Sequence, residues 1–177
     1  MILFLVFIST WNVFPVSRGL GFFLNKKLYQ DVRKVVVKDP DARWVVFNDA
    51  LMAGFLMTTG ANVFNGTKYT PNIPAMRLMD PTGKHDSIYN RYANIVIGTK
   101  PDLDSVNFNL IYEDFYSVAV NPASAKLKEL KIKYLLMPNN QYYNVEIGKR
   151  DGVVPVYDKP VDSYWILEIK DAPAQSH

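Results

Sequence analysis

The stretch Arg43-Trp-Val-Val-Phe47 places four large apolar residues in a row, so an extended chain there is apolar on both faces. A strand of that kind needs cover on both sides, as in a sheet flanked by helices. The residues before it supply one cover: Leu24, Leu28, Val32, Val35 and Val36 recur at helical spacing, with Lys26, Lys27, Arg33 and Lys34 between them. This spacing predicts an amphipathic helix over Asn25 to Val37. Asp39-Pro40 stops it, because the residue before a proline is pushed out of the α region. Beyond Asn48 and Asp49, the apolar run Leu51 to Thr58 suits either a short helix or a second buried strand, and its periodicity does not choose between them.

From Gly60 to Asn94 the apolar residues lose any period, and Gly66, Pro71, Pro74 and Pro81 interrupt the chain. A long polar loop is expected there. Strand signals return at Ile95-Val-Ile97, at Val106 to Tyr112, where Asn107 and Asn109 alternate with Phe108 and Leu110, and at Ser117 to Val120. Asn121-Pro122-Ala-Ser124 reads as a helix opening, with Asn121 as the cap and Pro122 at the first helical position. Leu127, Leu130 and Tyr134 would form its buried face. Lys133-Tyr-Leu-Leu-Met137, Val153 to Tyr157 and Tyr164 to Ile169 complete the strands, with turns at Asp151-Gly152 and Lys159-Pro160. The expected fold is a single α/β domain, a mixed β-sheet flanked by a few helices, with a long polar loop.

Composition agrees with one folded unit. The chain has 177 residues, 49% of them apolar and 14% aromatic. Domains commonly run to about 100–200 residues, and this much apolar surface is incompatible with disorder. Twenty Lys and Arg against 17 Asp and Glu give a net charge of +3. Without a dense basic stripe, no nucleic-acid partner is expected. Cysteine is absent, which removes disulfides, thiolate metal sites and a thiol nucleophile.

Met1 to Ile8 is an unbroken apolar run, and Trp11, Val13, Phe14 and Val16 extend it. About 20 apolar residues are needed to cross a bilayer, and neither a basic leader nor a cleavage site marks a signal peptide. Two readings remain for residues 1–17. They are the end of a transmembrane helix, with Trp11 and Phe14 at the interface and Pro15 as terminator, or a buried apolar segment of the domain. Residues 18–171 would be the folded body and 172–177 a frayed tail.

Several short motifs point in one direction: Asn12-Val-Phe-Pro15, the helix closing at Asp39-Pro40, Gly60-Ala-Asn62, Met79-Asp80-Pro81, Tyr89-Asn90-Arg91-Tyr92, Leu127 to Leu135, and Gly152 to Tyr157. Taken together they resemble the C-terminal extracytoplasmic domain of multi-spanning bacterial envelope proteins related to the GT-C class of integral-membrane glycosyltransferases. The resemblance implies a domain on the outer face of the cell membrane, hung from a preceding transmembrane helix, in a protein using lipid-linked sugars. In such proteins the catalytic carboxylate lies on an early loop between membrane helices. No residue of this chain therefore inherits a catalytic role, and no cofactor or metal is implied.

Within the polar segment, Asn62, Tyr69, Asn72, Arg77, Asp80, Asn90 and Arg91 are the candidate substrate-binding residues, with Asn65 and Asp86 among them. Planar amides and carboxylates exchange hydrogen bonds with sugar hydroxyls, and an aromatic ring covers the apolar face of a pyranose. The competing reading is that these groups make turns and cap the local backbone. Arg91 could also lock the segment to the sheet by clamping a carboxylate. His85 reads as a solvated loop histidine, and the acidic residues 102–114 lack the pattern of a calcium loop. The expected function is non-catalytic positioning of a cell-envelope glycan acceptor. A structural or protein-interaction module packing on the membrane part or a partner is the alternative, and a free-standing hydrolase ranks last because no nucleophile and base can be paired.

Overall fold

A computed structural model describes residues 21–139 and 152–170 of the protein. After the short turn α1 (Gly21–Leu24), helix α2 (Lys27–Lys38) buries Leu28, Val32, Val35 and Val36. It ends as the proline rule requires, with Asp39 as its last capping residue. Its first turn is closed from far along the chain: Leu28 N–H donates to Asp162 Oδ2 at 2.9 Å.

Strands β1 (Arg43–Val46), β2 (Asn62–Val63), β7 (Ile132–Pro138), β8 (Val153–Pro155) and β9 (Tyr164–Ile169) form a five-stranded sheet in the order β2-β1-β7-β9-β8. β1 runs parallel to both its neighbours, and the β7, β9 and β8 pairings are antiparallel. β1 is buried on both faces, as its sequence demands. Val45 and Phe47 join one core cluster, while Trp44 and Val46 join another beneath α2. Trp44 also packs on Tyr134 with ring centroids 4.7 Å apart.

The remaining strands make a second sheet rather than extending the first. β3 (Gly66–Lys68), β4 (Ala93–Thr99), β6 (Phe115–Val120) and β5 (Asn107–Tyr112) lie in the order β3-β4-β6-β5, with β4 and β6 parallel. The sheets join where β1 ends. Phe47 bridges Ile97, and Asn48, at a positive φ of 54°, donates its N–H to Ile97 O at 2.7 Å. The α/β class and the mixed pairing stand, with the mixed sheet divided in two.

The apolar run after β1 is helix α3 (Ala50–Thr58), and Asp49 resolves the ambiguity by accepting hydrogen bonds from Leu51 and Met52 N–H. The segment expected as one long loop contains β2, β3, α4 (Ile73–Met79) and α5 (Asp86–Tyr89). Pro74 does not break α4, because it lies in the first turn, where an amide proton has no intrahelical partner. The later helix α6 (Ala125–Glu129) starts after the expected opening. Ser124 caps it, while buried Asn121 accepts from Ala123 N–H and donates to Pro101 O. Tyr134 belongs to β7 and not to the helix face. The last hairpin turns at Asp162-Ser163, with φ of 45° and 70°, rather than at Lys159-Pro160. Val161 and Tyr164 exchange hydrogen bonds across that turn, as a two-residue hairpin requires. The leader 1–17, Asp151 and the tail 172–177 lie outside the described residues.

Candidate functional site

The seven residues singled out from the sequence fall in three places. Asp80 is the centre of the first. Its carboxylate is buried and accepts from His85 N–H at 2.8 Å and Thr82 Oγ1 at 3.1 Å, with Tyr89 OH at 3.4 Å. Burial pushes this carboxyl up, but the His85 and Thr82 hydrogen bonds and the nearby imidazole together outweigh it and hold it below its ordinary value. His85 is not a solvated loop residue: its ring stacks on Phe108 at 5.1 Å, with Nδ1 3.5 Å from Asp80. Arg77 pairs with Asp86 across the same turn. Arg91 does lock α5 to the β5–β6 hairpin, though through the carbonyls of Ser87 and Glu113 and not through a carboxylate. Asn90 terminates α5. Arg77, Asp80 and Arg91 spend their side chains on holding the segment in shape, whereas Asn90 contributes its backbone N–H to Asp86 O and is itself exposed.

Asn62 and Asn72 occupy a second place, a cleft of about 210 Å³ between the start of β1 and the β3–α4 connection. Asn62 stands opposite Arg43 in the β1–β2 register, and Asn72 also caps α4 through Ala75 N–H. Arg43 and Lys68 enter the same cleft. Burial, followed by repulsion from Arg43, lowers the pKa of Lys68.

Tyr69 lies in the third place. Along β3 and β4 the inward residues are Lys68, Ala93, Ile95 and Ile97, and Tyr69 and Tyr92, one residue beyond the paired ends of the strands, do not line the cleft. Their rings lie 5.7 Å apart, with Tyr69 84% and Tyr92 48% exposed. Pairing register then assembles a row across all four strands, Thr67–Asn94–Phe115–Tyr112. Tyr112 stacks on Phe115 at 6.3 Å. Next to this row come Val96, Ser117 and Asn109. None of these outward residues belongs to either core cluster. Asn94 Oδ1, in the middle of the row, is buried yet has no hydrogen-bond donor among the described residues. The result is a sheet face with aromatic rings at one end and amide and hydroxyl groups at the other.

Of this face the sequence singled out Tyr69 alone. The alternation of Asn107 and Asn109 in β5 was a local sign of its polar part, but Tyr92, Asn94, Phe115 and Tyr112 come together only through cross-strand register. In the cleft, Lys68 carried a signal of its own as the one charged residue between Gly60 and Met76.

The sequence profile of a family described as a domain of unknown function, DUF7654, matches residues 23–172. The chain belongs to this family. The matched span runs from α1 through β9, so the cleft and the open sheet face both lie within the DUF7654 domain. No curated protein and no solved structure matches the chain. Among the described residues of this DUF7654 domain, no helix is long and apolar enough to cross a membrane and no cluster of side chains has the makings of a metal site.

Proposed function

We propose that this DUF7654 domain is a non-catalytic extracytoplasmic module of a multi-spanning membrane protein resembling the GT-C glycosyltransferases, and that it holds a cell-envelope glycan on the open face of its four-stranded sheet. The observation that carries the reading is the exposed Tyr69–Tyr92 pair beside the Thr67–Asn94–Phe115–Tyr112 row. Tyrosine rings cover the apolar faces of sugar rings at low entropic cost, and the amides and hydroxyls next to them match sugar hydroxyls. The apolar leader supports a membrane location on the sequence side.

The test is titration of the full chain with neutral chito- and cello-oligosaccharides, followed by amide resonances. Shifts confined to β3, β4 and β6, lost in Tyr69→Ala and Tyr92→Ala, are the expected result. Absence of any shift at millimolar saccharide rejects the reading. A protein-interaction module is the second reading, favoured by the edge strand β5, which exposes Leu110 and Ile111. It predicts that substitutions at those two residues, and not at Tyr69, release the domain from its membrane partner.

A further inference from the structure

The cleft lined by β1, β3 and β4 brings two cations together, with no carboxylate among its described lining residues. Arg43, at the start of β1, spends one N–H on Leu130 O at 2.8 Å, and Lys68, at the end of β3, donates to Val63 O at 2.8 Å. Each keeps further donors for the cleft. Among the described residues, neither is within ion-pair distance of a carboxylate. Elsewhere in the domain, Lys34, Arg77, Lys100 and Lys133 each have such a partner. Setting two like charges side by side at a half-buried position is unfavourable. A bound anion is what would reverse the sign of that interaction.

We propose that this cleft is an anion-binding site, taking a phosphate or carboxylate group carried on a small polar molecule, with Arg43 and Lys68 clamping the oxygens. Asn62 and Thr70 stand on its rim as neutral hydrogen-bonding groups, and Asn72 keeps its amide N–H donors while its oxygen caps α4. The floor is apolar, built from Phe64, Met76 and Ile95 of the core, so the anion would be partly shielded from water and its contacts strengthened. The volume of about 210 Å³ exceeds a water-sized void several-fold, leaving room for an oxyanion and part of its carrier. The site is separate from the sheet face, because neither Tyr69 and Tyr92 nor the Thr67–Asn94–Phe115–Tyr112 row lines the cleft.

Calorimetric titration of the full chain with inorganic phosphate, glucose 1-phosphate, glucuronate and glucose tests it. The anionic ligands should bind at least tenfold tighter than glucose and weaken as salt rises. Phosphate ester and carboxylate arms separate the two sources of the anion. Arg43→Gln and Lys68→Gln should each lower anion affinity about tenfold or more. Asn62→Asp is the control for folding: its exposed side chain supports no described hydrogen bond, and the added carboxylate should abolish anion binding while raising Tm by neutralising the pair. Tyr69→Ala should leave anion affinity unchanged. Equal binding of glucose and glucose 1-phosphate, anion binding that survives Asn62→Asp, or resonance shifts away from Asn62, Lys68 and Thr70 overturns the proposal.

Discussion

The side chain of Asn65 pairs with the backbone of Val46 as a neighbouring strand would. Val46 N–H donates to Asn65 Oδ1 at 3.0 Å, and Asn65 Nδ2 donates to Val46 O at 2.8 Å. Both residues are fully buried. The short strand β2 ends at Val63, so this carboxamide continues the edge of the five-stranded sheet while the chain departs into β3. Asn65→Ala leaves a buried donor and a buried acceptor unpaired, and should cost about 2–5 kcal/mol in denaturant unfolding. Asn65→Asp keeps an acceptor for Val46 N–H but loses the donor to Val46 O. It should also destabilise markedly at neutral pH, and recovery on acidification would mark the protonated acid as the restored donor.

Asp80 makes stability depend on acid. Its folded pKa lies below the ordinary value of 3.8, so its contribution is fully present above about pH 4 and is lost as pH falls through the depressed folded value. Asp80→Asn should therefore lower stability at neutral pH by about 1–3 kcal/mol and make the acid limb of the stability curve shallower. Urea midpoints measured between about pH 2 and pH 7 check this, and parallel curves for the two proteins would contradict it.

Gly83 sits at φ +67°, and a Cβ there would lie 2.5 Å from Arg77 Nη1. Gly83→Ala thus carries two penalties, backbone strain of about 1–2 kcal/mol and displacement of Arg77 from Asp86. In the Arg77→Ala background the second penalty should vanish. A double-mutant cycle on thermal unfolding separates them, and additive losses would mean that the guanidinium yields freely.

Asp49 ties a helix to a strand that is distant in sequence. Its Oδ1 caps α3, and its Oδ2 accepts from Tyr164 OH at 2.6 Å. Asp49→Ala should cost about 1–2 kcal/mol through the cap alone, and Tyr164→Phe about 1 kcal/mol. Burial, then the Asp49 carboxylate, raises the pKa of Tyr164. The folded state therefore holds this proton longer than the unfolded chain, and stability falls as pH rises above about 10. Tyr164→Phe should reduce that alkaline loss without abolishing it, because Tyr89, Tyr116, Tyr134 and Tyr157 are also raised chiefly by burial, and Lys133 is raised by its hydrogen bond to Asp39. Guanidinium unfolding at pH 8 and pH 11 checks it.

Much of the local structure was legible because burial leaves a period in the chain. The spacing of Leu28, Val32, Val35 and Val36 specified α2, and the unbroken RWVVF run specified a strand covered on both faces. The local reading stayed open or failed where a side chain acts through the backbone. Asp49 decided between helix and strand for residues 50–58, Asn121 made a turn instead of a cap, and Pro74 lay in a first turn that tolerates it. Of the candidate residues, Arg77, Asp80 and Arg91 have polar groups that are equally suited to a ligand or to their own backbone, and composition cannot tell which partner they meet.

The sequence by itself determined that α2 and α6 are helices and that β1 and β4 to β9 are strands, since each follows from residues a few positions apart, whereas α3, β2, β3, α4 and α5 left no such period. Only the tertiary structure decided that the strands divide into two sheets, with β1 lying parallel to β7 and ending against β4. That choice rests on register between segments distant in the chain, where pairing depends on the packing of whole faces. The same register places Thr67, Asn94, Phe115 and Tyr112 in one row and sets Lys68 beside Arg43 on the opposite side. The alternation of a pleated strand turns two adjacent residues, Thr67 and Lys68, toward different surfaces.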